Sequence, residues 1–148
     1  MRILHLSKFY PPATGGLEQV VEMQARGAAL AGHEVTVVCG TSRDKDDHPG
    51  SEVREGVTVC RLPTPAVLWS QPLIRGYFKS AAARTDVVHV HHPHPLADLA
   101  VLGRVRAPFV ITHHSDIQRQ RIVRPLYRPV VRAVLRGGRR LTANRPAA

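Results

Sequence analysis

The six residues Glu34-Val35-Thr36-Val37-Val38-Cys39 hold three valines and a threonine with no polar alternation. A strand with one wet face alternates apolar and polar side chains. A continuous β-branched run instead belongs to a strand covered on both faces, as in a parallel sheet flanked by helices. Asp86-Val87-Val88-His89-Val90-His91 has the same texture, as do residues 2–7 and 108–112. Ahead of the first run, Leu17, Val20, Val21, Ala25, Ala28 and Ala31 follow helical spacing, and Gly32 stands where a C-terminal cap belongs. Strand, helix and strand make a βαβ unit. The fold class that follows is α/β, a Rossmann-like doubly wound and mostly parallel sheet.

The remaining segments fit that frame. Residues 8–16 hold two Pro and two Gly and read as a loop. A polar loop over 41–51 precedes extended pieces around Val53 and over 57–62, with Glu55-Gly56 as their turn. After a Pro-punctuated stretch, 63–72, helices are predicted over 73–83, over 95–105 from a permitted N-terminal proline, and over 117–135, where Pro125 and Pro129 kink or restart the helix. A last strand spans 141–144. One domain is expected over 1–144, with 145–148 as a frayed tail.

Composition narrows the class further. With 43% apolar and 22% charged residues, the chain carries a packed core and is not of the disordered type. Cys39 and Cys60 are the only cysteines and no secretory leader precedes them, so free thiols and a cytoplasmic setting are expected. No apolar run approaches the roughly 20 residues that cross a bilayer. The net charge of +10 is uneven: residues 1–116 carry 12 basic and 11 acidic side chains, whereas 117–148 carry nine Arg and no acid. Arg121, Arg124, Arg128, Arg132 and Arg136 recur every three or four residues and form one stripe. Such a stripe is either a solvated face or a contact for an anionic membrane surface or phosphate-bearing ligand. No helix-turn-helix, zinc module or aromatic-rich RNA-binding pattern accompanies it, so no nucleic-acid partner is expected.

Ligands of an open parallel sheet collect at the carboxyl ends of its strands, here residues 8–16, 39–41, 91–95 and 113–116. Gly15-Gly16 precedes the first helix, where bare N–H groups and the helix dipole can hold a phosphate or sugar oxygen; glycines equally serve as turn formers. Six of the nine histidines (His89, His91, His92, His94, His113, His114) cluster at two strand ends and raise a metal site. The string from His89 to His94 superficially resembles the H-x-H-x-D-H of metallo-hydrolases, but Pro93 takes the Asp position and ligates nothing, so no metal is expected. His89 then reads as a strand residue, with His91, His92 and His94 in a polar loop above the sheet. His113 and His114 should point to opposite faces. Asp116 either caps the helix that follows or bonds a hydroxyl.

The ordered string Lys8-Phe9-Tyr10-Pro11-Pro12-Ala13-Thr14-Gly15-Gly16-Leu17-Glu18, an amphipathic helix and Gly32-His33-Glu34-Val35-Thr36-Val37-Val38 resemble the opening of retaining family 4 glycosyltransferases. Asp86-Val87-Val88-His89-Val90-His91 and Ile111-Thr112-His113-His114-Ser115-Asp116-Ile117, then an Arg-rich helix with Tyr127, agree in order. Leu141-Thr142-Ala143-Asn144-Arg145-Pro146 follows the pattern except that Arg145 stands where Ser is usual. The resemblance implies the first, acceptor-side domain of a GT-B fold, facing a second Rossmann-like domain that binds a nucleotide sugar. The E-x7-E pair of that second domain is not here, since no two of Glu18, Glu22, Glu34, Glu52 and Glu55 stand eight apart.

Roles carried by the resemblance are these. Gly15 and Gly16 touch the donor diphosphate and the acceptor, and His114 is the catalytic histidine near the reacting sugar. Glu18, His91, His92 and Asp116 lie around donor and acceptor. No cofactor is implied; the partners are the nucleotide sugar, shared with the second domain, and a glycan or lipid-linked acceptor. Residues 1–148 alone are not expected to transfer sugar, because donor positioning and diphosphate stabilisation need the other half. Two readings of other classes stand beside this one. The first is a non-catalytic module for anionic membranes or phosphate ligands, built on the glycine loop and the Arg stripe at Arg121, Arg124, Arg128 and Arg132. The second is a metal-dependent hydrolase built on the histidines. Peripheral attachment at the inner face of the plasma membrane is compatible with the first two.

Overall fold

The structure is a computed structural model; it describes residues 1–42, 46–68, 70–114, 124–137 and 140–143, and the side chains of 124–126 and 140–143 are left aside. β1 (Arg2–Leu6) leads through the proline-glycine loop into α1 (Gly16–Leu30), which returns to β2 (Glu34–Gly40). β3 (Gly50–Arg54) and β4 (Val57–Leu62) form a hairpin. Its turn residues, Glu55 (φ 51°) and Gly56 (φ 80°), both take the left-handed conformation that matches hairpin twist. Next come β5 (Ala66–Leu68), β6 (Gln71–Leu73), α2 (Tyr77–Ala81), β7 (Val87–His92), α3 (Pro95–Gly103), β8 (Phe109–His113), α4 (Arg124–Gly137) and β9 (Arg140–Ala143).

Seven strands form one sheet in the order β3-β4-β2-β1-β7-β8-β9, parallel throughout except where β3 meets β4. The chain starts in the middle of this sheet, moves outward to one side and then returns across β1 to build the other. Alternation along the strands divides the core. Leu4, Leu6, Val88, Val90 and Ile111 pack against α2, α3 and α4 on one face, while Ile3, Val35, Val37, Cys39, Val57 and Val59 pack against Val21 and Ala25 of α1 on the other. Helices cover both faces, as the unbroken β-branched runs predict. Cys39 and Cys60 are free, and burial raises the Cys39 thiol to about 12.

One expectation needs correction. The helix expected over 73–83 is only α2, because Leu73 belongs to β6 and the left-handed Gly76 (φ 81°) sets the helix start. Within and just after the Pro-punctuated stretch, β5 and β6 pair as a separate antiparallel ribbon. Pro129 lies inside α4, which continues through it to Gly137. The expected helix over 117–123 lies outside the described residues, and so does the tail.

Arg61, the last residue but one of β4, lies on the α1 face and is 6% exposed. Its Nη1 donates to the Tyr10 carbonyl (3.3 Å) and Nη2 to the Pro11 carbonyl (2.5 Å), while ion pairs join it to Asp47 (3.3 Å) and Glu52 (2.7 Å). Asp47 in turn accepts the Ser42 N–H at 2.6 Å. One guanidinium therefore ties the loop after β1, the loop after β2 and strand β3. Removing one partner of a buried pair leaves the other charge uncompensated. Arg61→Met is expected to cost about 3–5 kcal/mol in urea unfolding, part of it recovered when Asp47→Asn is added.

His5, His91 and His94 are all buried, at 2%, 0% and 0% exposure. Burial, with smaller contributions from neighbouring His89 and Lys8, pushes His5 and His94 down to about 3 and His91 well below its usual range. In the unfolded chain these rings protonate near 6.5, so the folded state is fully favoured above that pH and loses stability as pH falls below it. Each contributes a loss of about 1.4 kcal/mol per pH unit. Against a stability of about 5–15 kcal/mol, acid unfolding followed by circular dichroism should have its midpoint above about pH 4.

Candidate functional site

The order of strands reverses direction between β1 and β7, and a ligand crevice opens at such a switch point, beyond the carboxyl ends of the strands. Two loops meet there: residues 7–15 after β1, and the His92-Pro93-His94 turn between β7 and α3. A cleft of about 520 Å³ adjoins the first, lined by Phe9, Ala13, Thr14 and Glu18, by Ser42 and by Val67.

The two glycines of the loop differ. A Cβ on Gly15 would stand 2.1 Å from Glu18 Oε2, whereas one on Gly16 would meet nothing within 4 Å. Glu18, in the first turn of α1, folds its carboxylate back over Gly15, so a side chain on Gly15 would displace it. Lys8 sits nearby, two-thirds or more buried. Burial pulls its ammonium down to about 8 against the raising influence of Glu18 and Asp98.

At the ends of β1, β7 and β8 the histidines form two hydrogen-bonded rows, one on each face. On the α1 face, His5 Nδ1 lies 2.9 Å from His91 Nε2, and His91 Nδ1 lies 3.1 Å from His114 Nε2. Beside them His89 Nε2 meets the Thr112 hydroxyl at 2.7 Å. The rings stack, with centroids 4.4 Å apart for His89 and His91 and 5.3 Å for His5 and His91. On the other face, His92 Nδ1 lies 2.8 Å from His113 Nδ1, and His92 Nε2 lies 3.2 Å from Asp98 Oδ2. Asp98, fully buried in the first turn of α3, also accepts the Tyr127 hydroxyl from α4. His113 and His114 thus point to opposite faces, as strand geometry predicts.

The rows correct the reading of His91, His92 and His94 as a polar loop. β7 continues to His92, α3 begins on His94, and all three are buried. His91 and His92 meet His114 and His113 directly instead of lining an open loop. His114 is half-buried, and burial followed by the neighbouring His113 lowers its proton affinity. Asp116 and Arg121 lie outside the described residues, as does the side chain of Arg124. Arg128 and Arg132 are exposed on α4.

Ring nitrogens of His5, His89 and His91 all fall within 4.8 Å of one another, which brings a metal site back into view. Two histidine nitrogens on one tetrahedral zinc stand about 3.3 Å apart. The 2.9 Å pair here is tighter than that and the widest separation much larger, and each of the three rings already makes a hydrogen bond. The arrangement is that of bonded neutral imidazoles.

Sequence reasoning missed His5, Thr112, Asp98 and Arg61. His5 sat inside an apolar run, although a parallel pairing of the first strand with residues 87–92 would have set it beside His89, its partner in register. Asp98 and Arg61 carried no signal, since Tyr127 and the Tyr10 carbonyl, which they bond, lie 29 and 51 residues away.

Residues 14–148 match the family model described as Glycosyltransferase Family 4. The chain is 36% identical over 99% of its length to D-rhamnosyltransferase WbpZ of Pseudomonas aeruginosa, and 34% identical over 88% to O-antigen chain mannosyltransferase C of Escherichia coli. It spans 39% and 36% of those two proteins. In fold it is similar to sucrose-phosphate synthase from Thermosynechococcus elongatus, with a TM-score of 0.67 and 17% identity over 95% of this chain and 41% of that one. A mostly parallel doubly wound sheet with this alignment is the front part of a GT-B architecture, and the chain belongs to glycosyltransferase family 4.

Proposed function

We propose that this chain is the acceptor-side portion of an enzyme that moves a sugar from a nucleotide sugar to a glycan or lipid-linked acceptor. The carrying observation is the juxtaposition at the switch point: the Gly15-Gly16 loop and His114 lie around one basic residue, Lys8, which acts electrostatically on both Glu18 and His114. A helix N-terminus with a bare glycine at its first residue donates N–H groups to a diphosphate oxygen, and Lys8 supplies positive charge there. His114, neutral at pH 7, offers one donor and one acceptor to the reacting sugar. Glu18 and Asp116 serve as polar contacts to donor and acceptor; His91 and His92 act from behind, through His114 and His113. Relatives described as rhamnosyl- and mannosyltransferases support the class of reaction, and the sugar itself belongs to the donor-binding half.

The stripe on α4 supports a second role, attachment to an anionic membrane surface. Arg128, Arg132 and Arg136 are exposed while Val134 is buried, so the helix turns a face with basic and no acidic side chains to solvent. No helix among the described residues is long and apolar enough to cross a membrane.

In a two-domain protein carrying this chain as its front part, His114→Ala should lower kcat about 10²–10³-fold, with the donor KM little changed; a variant with normal kcat removes His114 from the chemistry. Residues 1–148 incubated with labelled nucleotide sugars and a lipid-linked acceptor should give no product, and product above background would overturn the division of labour. Co-sedimentation with vesicles containing phosphatidylserine should weaken when Arg124, Arg128 and Arg132 become Gln, and weaken with salt. Equal binding by the variant argues against the stripe.

A further inference from the structure

The row on the α1 face has a property that its individual bonds do not. His5 and His91 are both more than nine-tenths buried and stay neutral at pH 7, and a neutral imidazole has one N–H and one bare nitrogen. His91 spends both nitrogens inside the row, Nε2 toward His5 and Nδ1 toward His114. The direction of one bond therefore dictates the direction of the other. If His5 donates from Nδ1, His91 accepts on Nε2, donates from Nδ1, and His114 accepts on Nε2 and carries its proton on Nδ1. If the row runs the other way, His114 donates from Nε2, His91 from Nε2, and His5 accepts on Nδ1.

Both satisfied arrangements put all three rings in the same tautomer, every one Nδ1–H or every one Nε2–H. Any mixture leaves two lone pairs or two N–H groups facing each other at 2.9 or 3.1 Å, a buried unmade hydrogen bond. Water does not relieve that mismatch readily, since His5 and His91 are at 2% and 0% exposure and the neighbouring His89 ring stacks on His91 and packs tilted against His5. His89 stands outside the row because its own Nε2 is bonded to Thr112.

We propose that His5 and His91 are positioning residues for His114: the buried row locks three imidazoles into one hydrogen-bond direction, so that the tautomer His114 presents is decided at His5, two links into the sheet. This rests on the reading of His114 as the ligand-facing histidine for its consequence in sugar transfer, where it decides whether Nδ1 acts as donor or acceptor. The tautomeric coupling itself needs no ligand.

The test is a long-range ¹H–¹⁵N correlation spectrum of the histidine rings in the ¹⁵N-labelled 148-residue chain at pH 7.5, with exposed His48 as the internal reference. His5, His91 and His114 should share one dominant tautomer, whichever it is. His5→Leu should shift the His114 tautomer ratio by about fivefold or more, the size of an effect expected when one buried hydrogen bond is lost. His5→Asn, which keeps a polar atom near the position of Nδ1, should restore a single tautomer common to His91 and His114. Different tautomers among the three rings of the unaltered chain would overturn the proposal without recourse to any variant, and so would an unmoved His114 ratio in a folded His5→Leu protein. Because the spectra contain no nucleotide sugar, shared tautomers together with a His114→Ala variant of normal kcat would uphold the row while refuting the catalytic role.

Discussion

The parallel pairing of β1 with β7 is the contact on which the rest of this molecule depends. It joins the first residues of the chain to a strand more than 80 positions later, with Ile3 beside Val87 and Leu6 beside Val90. Among the described residues no other strand pair joins the two halves of the sheet. Because β1 is central, its two faces feed both cores, and because the chain crosses over there, the loops that follow β1 and β7 come together at the switch point. The crevice is thus a product of strand order before any side chain is considered.

Side chains then convert the crevice into chemistry at some energetic expense. Burying several histidines and a carboxylate near one strand end removes them from water, and each demands a partner. The structure meets much of the demand with bonds between rings, with Asp98 drawing Tyr127 from α4, and with Arg61 gripping two loop carbonyls. The polar groups beneath the crevice are therefore held by long-range contacts that also fasten α3 to α4 and the first loop to β4.

Much of this was legible in the sequence, for physical reasons that differ by element. The unbroken Val-rich runs announced a parallel sheet because only double burial permits them, and Glu55-Gly56 announced the hairpin because its turn needs left-handed residues. Helix α1 was marked by its apolar spacing and Gly32. Legibility failed where three-dimensional context outweighed local pattern. Residues 66–73 form a ribbon whose strands are too short for periodicity to register, and Gly76 starts a helix that spacing alone had placed earlier. At the site, the glycine loop and His114 were visible through family resemblance and His113 through alternation. The row through His5 was not, since it exists only once β1 lies against β7. The polar-loop reading of His91, His92 and His94 failed because histidine is ordinarily hydrated, whereas here other histidines bond His91 and His92, and His94 is buried against Tyr77.

The antiparallel strand β3 has a consequence for behaviour in solution. Every residue from Gly50 to Arg54 is exposed, and the strand lies at the outer margin of the sheet with Glu52 and Arg54 among its five residues. Parallel sheets rich in valine are templates for runaway strand addition when their margins are bare. Here the margin is short, charged and reversed in direction, with Glu52 drawn inward to Arg61 and Arg54 toward Glu22. That flank is poorly suited to recruit another chain by strand addition.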